Sequence, residues 1–364
     1  MKVVLKGYYG KGNFGDDLLA KVLVEYLEQQ HDAEVYCDVD LASYSEKLFP
    51  NAIYLSSDSN ITYDLLLLGG GTQFFNFGTY AGVKVIKYWY KKYILNPKNI
   101  LSRFSNKKNS FNYTKKIALG IGIGPFHSVE SEESAIKNLS SYDLVSVRDV
   151  NSLKIIENSS LEKVHYCADI CLTNKVNLFD SNSGMVNDSH KFDFGIVLRD
   201  WDESNVRGDF NQDIVREFSA LVSTKKNKVL FFVYSKCDVK LIKLLEKQRV
   251  DFVVWDPVAT ELSDFVNLHK ECKVIISSRY HGLITALKLH KPILPLIIEP
   301  KISAFSKELN ISDLSFDLAN VNIKELLDIA NKQLEEMNFP EDEYASLCKR
   351  ANEAFEQLNK VIAD

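Results

Sequence analysis

Nothing in this sequence approaches the ~18-residue apolar run that a membrane span requires. Its longest such runs, residues 65–68 and 292–298, are only strand-sized. It does not open with a charged region, a long apolar stretch and a small-residue cleavage site. A strand-like run begins at residue 2 instead, so a cytoplasmic protein is expected. Cysteine is sparse: Cys37, Cys167, Cys171, Cys237, Cys272 and Cys348 are spread over 364 residues, and only Cys167 and Cys171 are close together. They read as reduced and mostly buried thiols. CxxC, HExxH and HxxxH patterns are all missing, so no dedicated metal site is expected. There is also no internal repeat of 20 to 50 residues and no low-complexity bias.

What is present is an ordinary globular composition, 46% hydrophobic, 26% charged and 11% aromatic, in a length that suits about two domains. Short apolar runs at residues 2–5, 34–37, 64–68, 116–120 and 143–147 alternate with helix-like stretches. This alternation predicts a parallel sheet covered by helices on both faces. A polar stretch, residues 174–190, has the composition of a linker. A second series follows, with strands expected at 192–198, 228–234, 250–254, 272–276 and 293–298. The expected fold class is α/β, with two Rossmann-like domains, 1–180 and 190–322, whose parallel sheets face a cleft. Residues 323–364 repeat apolar side chains every three or four positions, which predicts one or two amphipathic helices packing back on the body.

Charge is unevenly distributed. Residues 65–129 contain ten Lys or Arg and no Asp or Glu, in a chain of net charge −5. Between residues 84 and 116 the lysines alternate with aromatic residues, a pattern suited to an anionic lipid surface or a diphosphate-linked substrate. The plainer reading is a solvated lysine face. No nucleic-acid-binding motif accompanies the patch, so nucleic acid is not expected as a partner.

Three glycine-rich elements follow strands. Gly10, Gly12 and Gly15 formally match GxGxxG, with Asp38 about twenty residues on, as in a dinucleotide site; they also suit any anion at a helix N-terminus, or a plain turn capped by Asp16 or Asp17. Gly69, Gly70 and Gly71 end the third apolar run, and residues 120–125 end the next, with His127 read as a loop histidine. The sharpest cluster is Arg279, Tyr280, His281 and Gly282, between a strand and a helix. An arginine there can bind carboxylate or phosphate, and the histidine can exchange a proton near neutral pH. Arg199, ending another strand, adds a second guanidinium to the same edge.

With these residues the chain resembles the polysaccharide pyruvyl transferase family. The resemblance covers most of the sequence in order: Gly12 to Asp16, Gly69 to Gly71, Ser146 to Asp149 with Ser152, Ala168 and Asp169, Ser278 to His281 with Ala286 and Pro292, then Pro300 and Lys301. It implies a GT-B-like fold and transfer of the enolpyruvyl unit of phosphoenolpyruvate, a co-substrate, onto two sugar hydroxyls, with no other cofactor. Carried over to this chain, it assigns Arg199, Arg279, Tyr280, His281, Gly282 and Lys301 to the donor. Asn13, Gly15, Asp16, Gly70, Gly71 and Asp169 are assigned to the acceptor, with His281, Arg279 and Asp16 as catalytic groups. Family members often carry an aromatic residue three places before the lysine, where this chain has Ile298. The expected acceptor is a sugar of a bacterial surface polysaccharide, or its polyprenyl-diphosphate-linked precursor, met at an anionic membrane surface. The alternatives are a GT-B glycosyltransferase using a nucleotide sugar, a dehydrogenase, and an inactive homologue serving as a scaffold in polysaccharide assembly.

Overall fold

The computed structural model of the protein describes residues 1–37, 47–54, 61–74, 112–126, 128–159, 161–179, 190–201, 210–224 and 226–364. Asp38, His127, most of the basic segment and residues 180–189 of the expected linker lie outside them.

The chain begins β1 (Lys2–Lys6), α1 (Phe14–His31), β2 (Glu34–Cys37), β3 (Ile53–Tyr54), β4 (Thr62–Gly69), β5 (Thr72–Phe74) and β6 (Asn112–Ile123). It continues through α2 (Val129–Leu139), β7 (Leu144–Val147), α3 (Val150–Glu157) and β8 (Val164–Tyr166). These strands form one sheet in the order β3-β2-β1-β4-β6-β7-β8, every pairing parallel, with β5 attached beside β6. The second series is β9 (Phe192–Leu198), α4 (Phe210–Ser223), β10 (Val229–Val233), α5 (Val239–Gln248), β11 (Phe252–Val254), α6 (Leu262–Lys270) and β12 (Cys272–Ser277). It ends with α7 (Tyr280–Lys288), β13 (Ile293–Ile297), α8 (Pro300–Glu308) and β14 (Phe316–Asp317). Its sheet runs β11-β10-β9-β12-β13-β14, also parallel. In both sheets the order reverses beside the first strand of the series, the position where open α/β sheets leave a crevice at their carboxyl ends.

The buried runs identify the central strands because such strands are covered on both faces and are apolar throughout. The segments missed, β3, β5, β8 and β14, are two or three residues long and sit at edges or beside a longer strand, where no run can develop. Two helices close the chain, α9 (Ile323–Glu336) and α10 (Glu341–Ala363). The last returns to the first sheet: the Phe355 ring packs against Tyr26 with centres 4.3 Å apart, and Asn359 accepts a hydrogen bond from the Tyr26 hydroxyl at 2.9 Å. Lys115, expected in the basic patch, instead donates to the carbonyls of Val361 and Ile362 at 2.6 and 3.2 Å, at the C-terminus of α10. Lys116 donates to Ser141 and lies 4.0 Å from the centre of the Tyr142 ring. Lys115 therefore serves the fold, because a cation at a helix C-terminus meets unpaired carbonyls, and Lys116 is engaged by a hydroxyl and a ring face. All six cysteines are unbridged; five are buried and Cys237 is exposed.

The two series are joined through the start of α1. Phe14, fully buried, projects from the first series into a cage made by the second. Its ring centre lies 4.6 Å from Tyr234, 4.9 Å from Phe265 and 5.3 Å from Trp255. The Phe14 N–H donates to the Tyr234 carbonyl at 3.0 Å, Asn13 bridges to Ser235, and the Trp255 indole donates to Asp17 at 2.6 Å. His269 completes the cage in neutral form: Nδ1 donates to the Phe265 carbonyl and Nε2 accepts from the Tyr234 hydroxyl, both at 2.9 Å. Burial lowers its pKa to about 4, against the Phe265 carbonyl. Between pH ~6.5 and 4 the unfolded chain thus binds a proton that the folded chain refuses. This stability is complete above ~6.5 and lost as pH falls to 4, about 3 kcal/mol in all. Urea titrations at pH 7 and pH 4 are expected to differ by that much less in His269→Gln than in the parent. Parallel losses in the two proteins would show that His269 is not the group responsible.

Candidate active site

The carboxyl ends of β1 and β4 in one sheet, and of β9, β12 and β13 in the other, bring the singled-out residues together. Asn13 caps α1: its side-chain oxygen accepts from the Gly15 N–H at 3.3 Å, and its amide donates to Asp16 at 2.6 Å. The loop after β4 turns through Gly70 and Gly71, both at positive φ, +56° and +70°. Gly71 brings this turn against Asp16, since a Cβ there would sit 3.3 Å from the carboxylate. Gly70 serves packing, because a Cβ would strike Leu19 at 2.6 Å.

Across from α1 stands the first turn of α7. The helix starts at Tyr280, three residues earlier than periodicity predicts, so Arg279 is its cap and His281 lies within the first turn. Gly15 faces His281 so closely that a Cβ on it would fall 2.2 Å from Nδ1. Gly282, expected at the donor, faces β12 instead. A Cβ on it would sit 2.2 Å from the Ser277 hydroxyl oxygen, so its smallness lets α7 approach that strand. Tyr280 is buried as a platform. Its ring lies 4.8 Å from the Arg148 guanidinium, 6.0 Å from the Lys301 amine and 4.9 Å from Phe305.

Cations and carboxylates interleave here. Arg279 pairs with Asp238, which sits at the cap of α5. Arg199 at the end of β9 pairs with Glu299 at 3.4 Å and lies 4.6 Å from the centre of the Trp201 ring. Lys301 pairs with the same Glu299 at 3.1 Å. The Nε atoms of Arg199 and Arg279 are buried without a hydrogen-bond partner among the described residues. Burial lowers the Arg199 pKa, and repulsion from Arg279 lowers it further. Lys301 is lowered by burial and by Arg148 and Arg199, against the attraction of Glu299. Burial raises Asp16, against the pull of His281, Lys301, Arg148 and Arg279. The edge thus holds more positive charge than its own carboxylates satisfy in hydrogen-bonding terms, which suits a small dianion or trianion.

Asp169, expected to orient an acceptor hydroxyl, is placed otherwise. Its side chain has no solvent exposure and accepts from Arg148 at 2.6 Å and from the Cys171 N–H at 3.1 Å. It also faces His281 Nε2 at 3.5 Å. Burial alone would raise its pKa, but His281 and Arg148 outweigh this and hold it well below the usual carboxylate range. The donor atoms of Asp169, Cys171 and His281 lie within 4.8 Å of one another. The set fits a cation poorly. Arg148 already neutralises the carboxylate, and burial with the Asp169 charge pushes the Cys171 thiol well above its ordinary range, away from the thiolate that a metal needs. Sequence reasoning gave no role to Arg148, Asp238 or Glu299. Arg148 stood inside a matching motif, whereas Asp238 and Glu299 carried no local signal beyond preceding a helix.

Among the described residues, no helix is long and apolar enough to cross a membrane. No curated protein matches the sequence significantly. Solved structures similar to the chain share its fold at low identity. HepE of Anabaena, solved with UDP and glucose, is 13% identical with a TM-score of 0.57 over 100% of this chain and 99% of its own. The UDP-GlcNAc 2-epimerase of Methanocaldococcus jannaschii is 12% identical, with a TM-score of 0.57 over 99% of both chains. MnaA of S. aureus, solved with UDP, is 14% identical with a TM-score of 0.55 over 93% and 91%. The architecture is therefore GT-B-like, two parallel sheets with helices, as expected. The family model for polysaccharide pyruvyl transferase matches residues 13–299, from the cap of α1 to the glutamate that pairs with Arg199 and Lys301, and the chain belongs to that family.

Proposed function

We propose that this protein forms a pyruvate ketal on a sugar, with phosphoenolpyruvate as donor. The observation that carries this reading is the pair of guanidiniums of half-buried Arg199 and buried Arg279, each with an enclosed Nε that has no partner among the described residues, beside Lys301 and His281. Phosphoenolpyruvate presents a carboxylate and a phosphate on one alkene carbon, and two forked cations match two such anions. A proton delivered to its methylene carbon creates a methyl group and an oxocarbenium-like centre at the neighbouring carbon. One sugar hydroxyl adds there and loses its proton. The phosphate leaves with the electron pair of its C–O bond, and the second hydroxyl closes the ring and loses its proton. The products are one ketal and one hydrogen phosphate, so atoms and charge balance.

His281 is the acid/base that fits best, because its first-turn position puts it between the cation cluster and Gly15. Asp16, held toward its protonated form and adjoining the Gly71 turn, is the group to orient the acceptor. The acceptor is a sugar of a surface polysaccharide or its polyprenyl-diphosphate-linked precursor. Eight cations of residues 65–129, the two turned inward excepted, supply attraction for a diphosphate and for anionic lipid at the cytoplasmic membrane face.

Isothermal titration tests the donor. Saturable binding of phosphoenolpyruvate is expected, weakened at least ~30-fold in Arg279→Ala, which removes a buried charged partner. No binding of phosphoenolpyruvate together with tight binding of a UDP-sugar would overturn the reading in favour of a glycosyltransferase, a competitor that the similar structures holding UDP make worth including.

A further inference from the structure

Two charged groups behind His281 contact neither the solvent nor the anion edge. The Arg148 and Asp169 side chains are 2% and 0% exposed, too enclosed to touch a substrate. One Asp169 oxygen is committed to the Cys171 N–H. The other stands between Arg148 Nη1 at 2.6 Å and His281 Nε2 at 3.5 Å. That Nε2 is itself buried and has no hydrogen-bond partner among the described residues. A movement of roughly 0.6 Å would complete an ordinary hydrogen bond to the carboxylate. Opposite, the Nδ1 edge of the ring lies over Gly15. The other groups around the imidazole are Asp16 from α1, Tyr280 from α7, and Cys171 after β8.

We propose that Arg148 and Asp169 act as one positioning pair for His281: the carboxylate takes the Nε2 proton in a hydrogen bond, fixes that tautomer and ring orientation, and leaves Nδ1 to exchange a proton with substrate. This rests on the reading of His281 as the acid/base. The physical need for each member is clear. An aspartate buried alone would take up a proton and lose its hold on the ring, and Arg148 keeps it ionised. Arg148 is in turn seated on the ring of Tyr280, the residue that precedes His281, so the support and the supported group share one anchor. A second nitrogen left free by a fixed tautomer is how a histidine is set to one proton-transfer direction.

The double variant Arg148→Met, Asp169→Leu removes both charges together and strands neither, a replacement that buried pairs tolerate. It is expected to bind phosphoenolpyruvate within about threefold of the parent while kcat falls at least ~30-fold, within the range for general acid/base catalysis. In 15N-histidine spectra at alkaline pH, the His281 signals, assigned by their loss in His281→Gln, are expected to change from the Nε2–H form to a mixture of tautomers. A second variant, Arg148→Met with Asp169→Asn, covers failure of the first to fold. With its oxygen kept on the Cys171 N–H and no guanidinium opposing it, its amide turns toward Nε2 and forces the Nδ1–H form. Parent-like kcat and tautomer in the first double variant, or an Nε2–H ring in the second, would overturn the proposal. The spectra need no substrate, so a parent protein that transfers no pyruvyl unit would sink the reaction assigned above and leave this test to be read separately.

Discussion

Gly15→Ala is expected to yield a folded protein whose turnover is reduced more than ~1,000-fold. Position 15 is the second residue of α1, with ordinary helical backbone, so alanine fits the helix and improves its propensity by up to about 1 kcal/mol. The cost falls elsewhere: the new Cβ would lie 2.2 Å from Nδ1 and 2.6 Å from Cγ of His281. Helix and ring cannot both keep their places. The ring must leave the position in which Nε2 faces Asp169, or α1 must retreat by about 1 Å or more. General acid/base catalysis contributes roughly 10²- to 10⁴-fold, and ångström-scale misplacement removes about 10²-fold by itself. Phosphate release from phosphoenolpyruvate in the presence of acceptor measures the rate, and circular dichroism shows that the fold survives. A variant that kept a tenth of the parent rate would remove the Gly15–His281 contact from the mechanism. Donor binding should be preserved, since Arg199 and Arg279 belong to the second sheet series.

Phe14→Ala is expected to lower unfolding free energy by about 3–5 kcal/mol, the range for emptying a large aromatic site in a core that cannot collapse. The ring is fully buried among Tyr234, Trp255, Phe265 and His269, whose own packing prevents them from filling the space. Because the ring belongs to one series and its cage to the other, the loss also loosens α1 against α7. The expected pattern in assay is a falling kcat with phosphoenolpyruvate affinity nearly unchanged. Urea unfolding measures the first effect and steady-state kinetics the second. A stability change below about 1 kcal/mol would show that the remaining contacts, the Trp255–Asp17 bond and the Phe14 backbone bond to Tyr234, hold the two series without the ring.

Much of the site was legible as types of residue at strand ends. Arg199 ends β9, Arg279 follows β12, and Gly70 and Gly71 follow β4. In each case an apolar run stops at a polar or glycine residue, and the carboxyl ends of parallel strands are where such residues gather. What these residues touch was not legible. Asp169 was assigned to the acceptor through the family resemblance, yet Arg148, 21 residues earlier, lies beside it because β7 and β8 are neighbours in the sheet. Gly282 and Tyr280 stood in one motif with Arg279 and His281, but they serve the close approach of α7 to β12 and the seating of Arg148. Lys115 counted toward a basic surface until α10 returned and placed its C-terminal carbonyls over the amine.

By itself the sequence determined the class of fold, the parallel character of its sheets and the residue types that stand at the ends of the central strands. Those follow from local properties: the length of apolar runs, their alternation with helical periodicity, and the residue types at their ends. Tertiary structure alone decided which groups work together. Gly15 meets His281, Asp238 meets Arg279, and Glu299 joins Arg199 to Lys301, across separations that periodicity does not encode. The reason is that side-chain pattern sets which face of an element is buried. The partner across that face is set by how one sheet series docks on the other, here through the Phe14 ring and the hydrogen bonds around it at the start of α1.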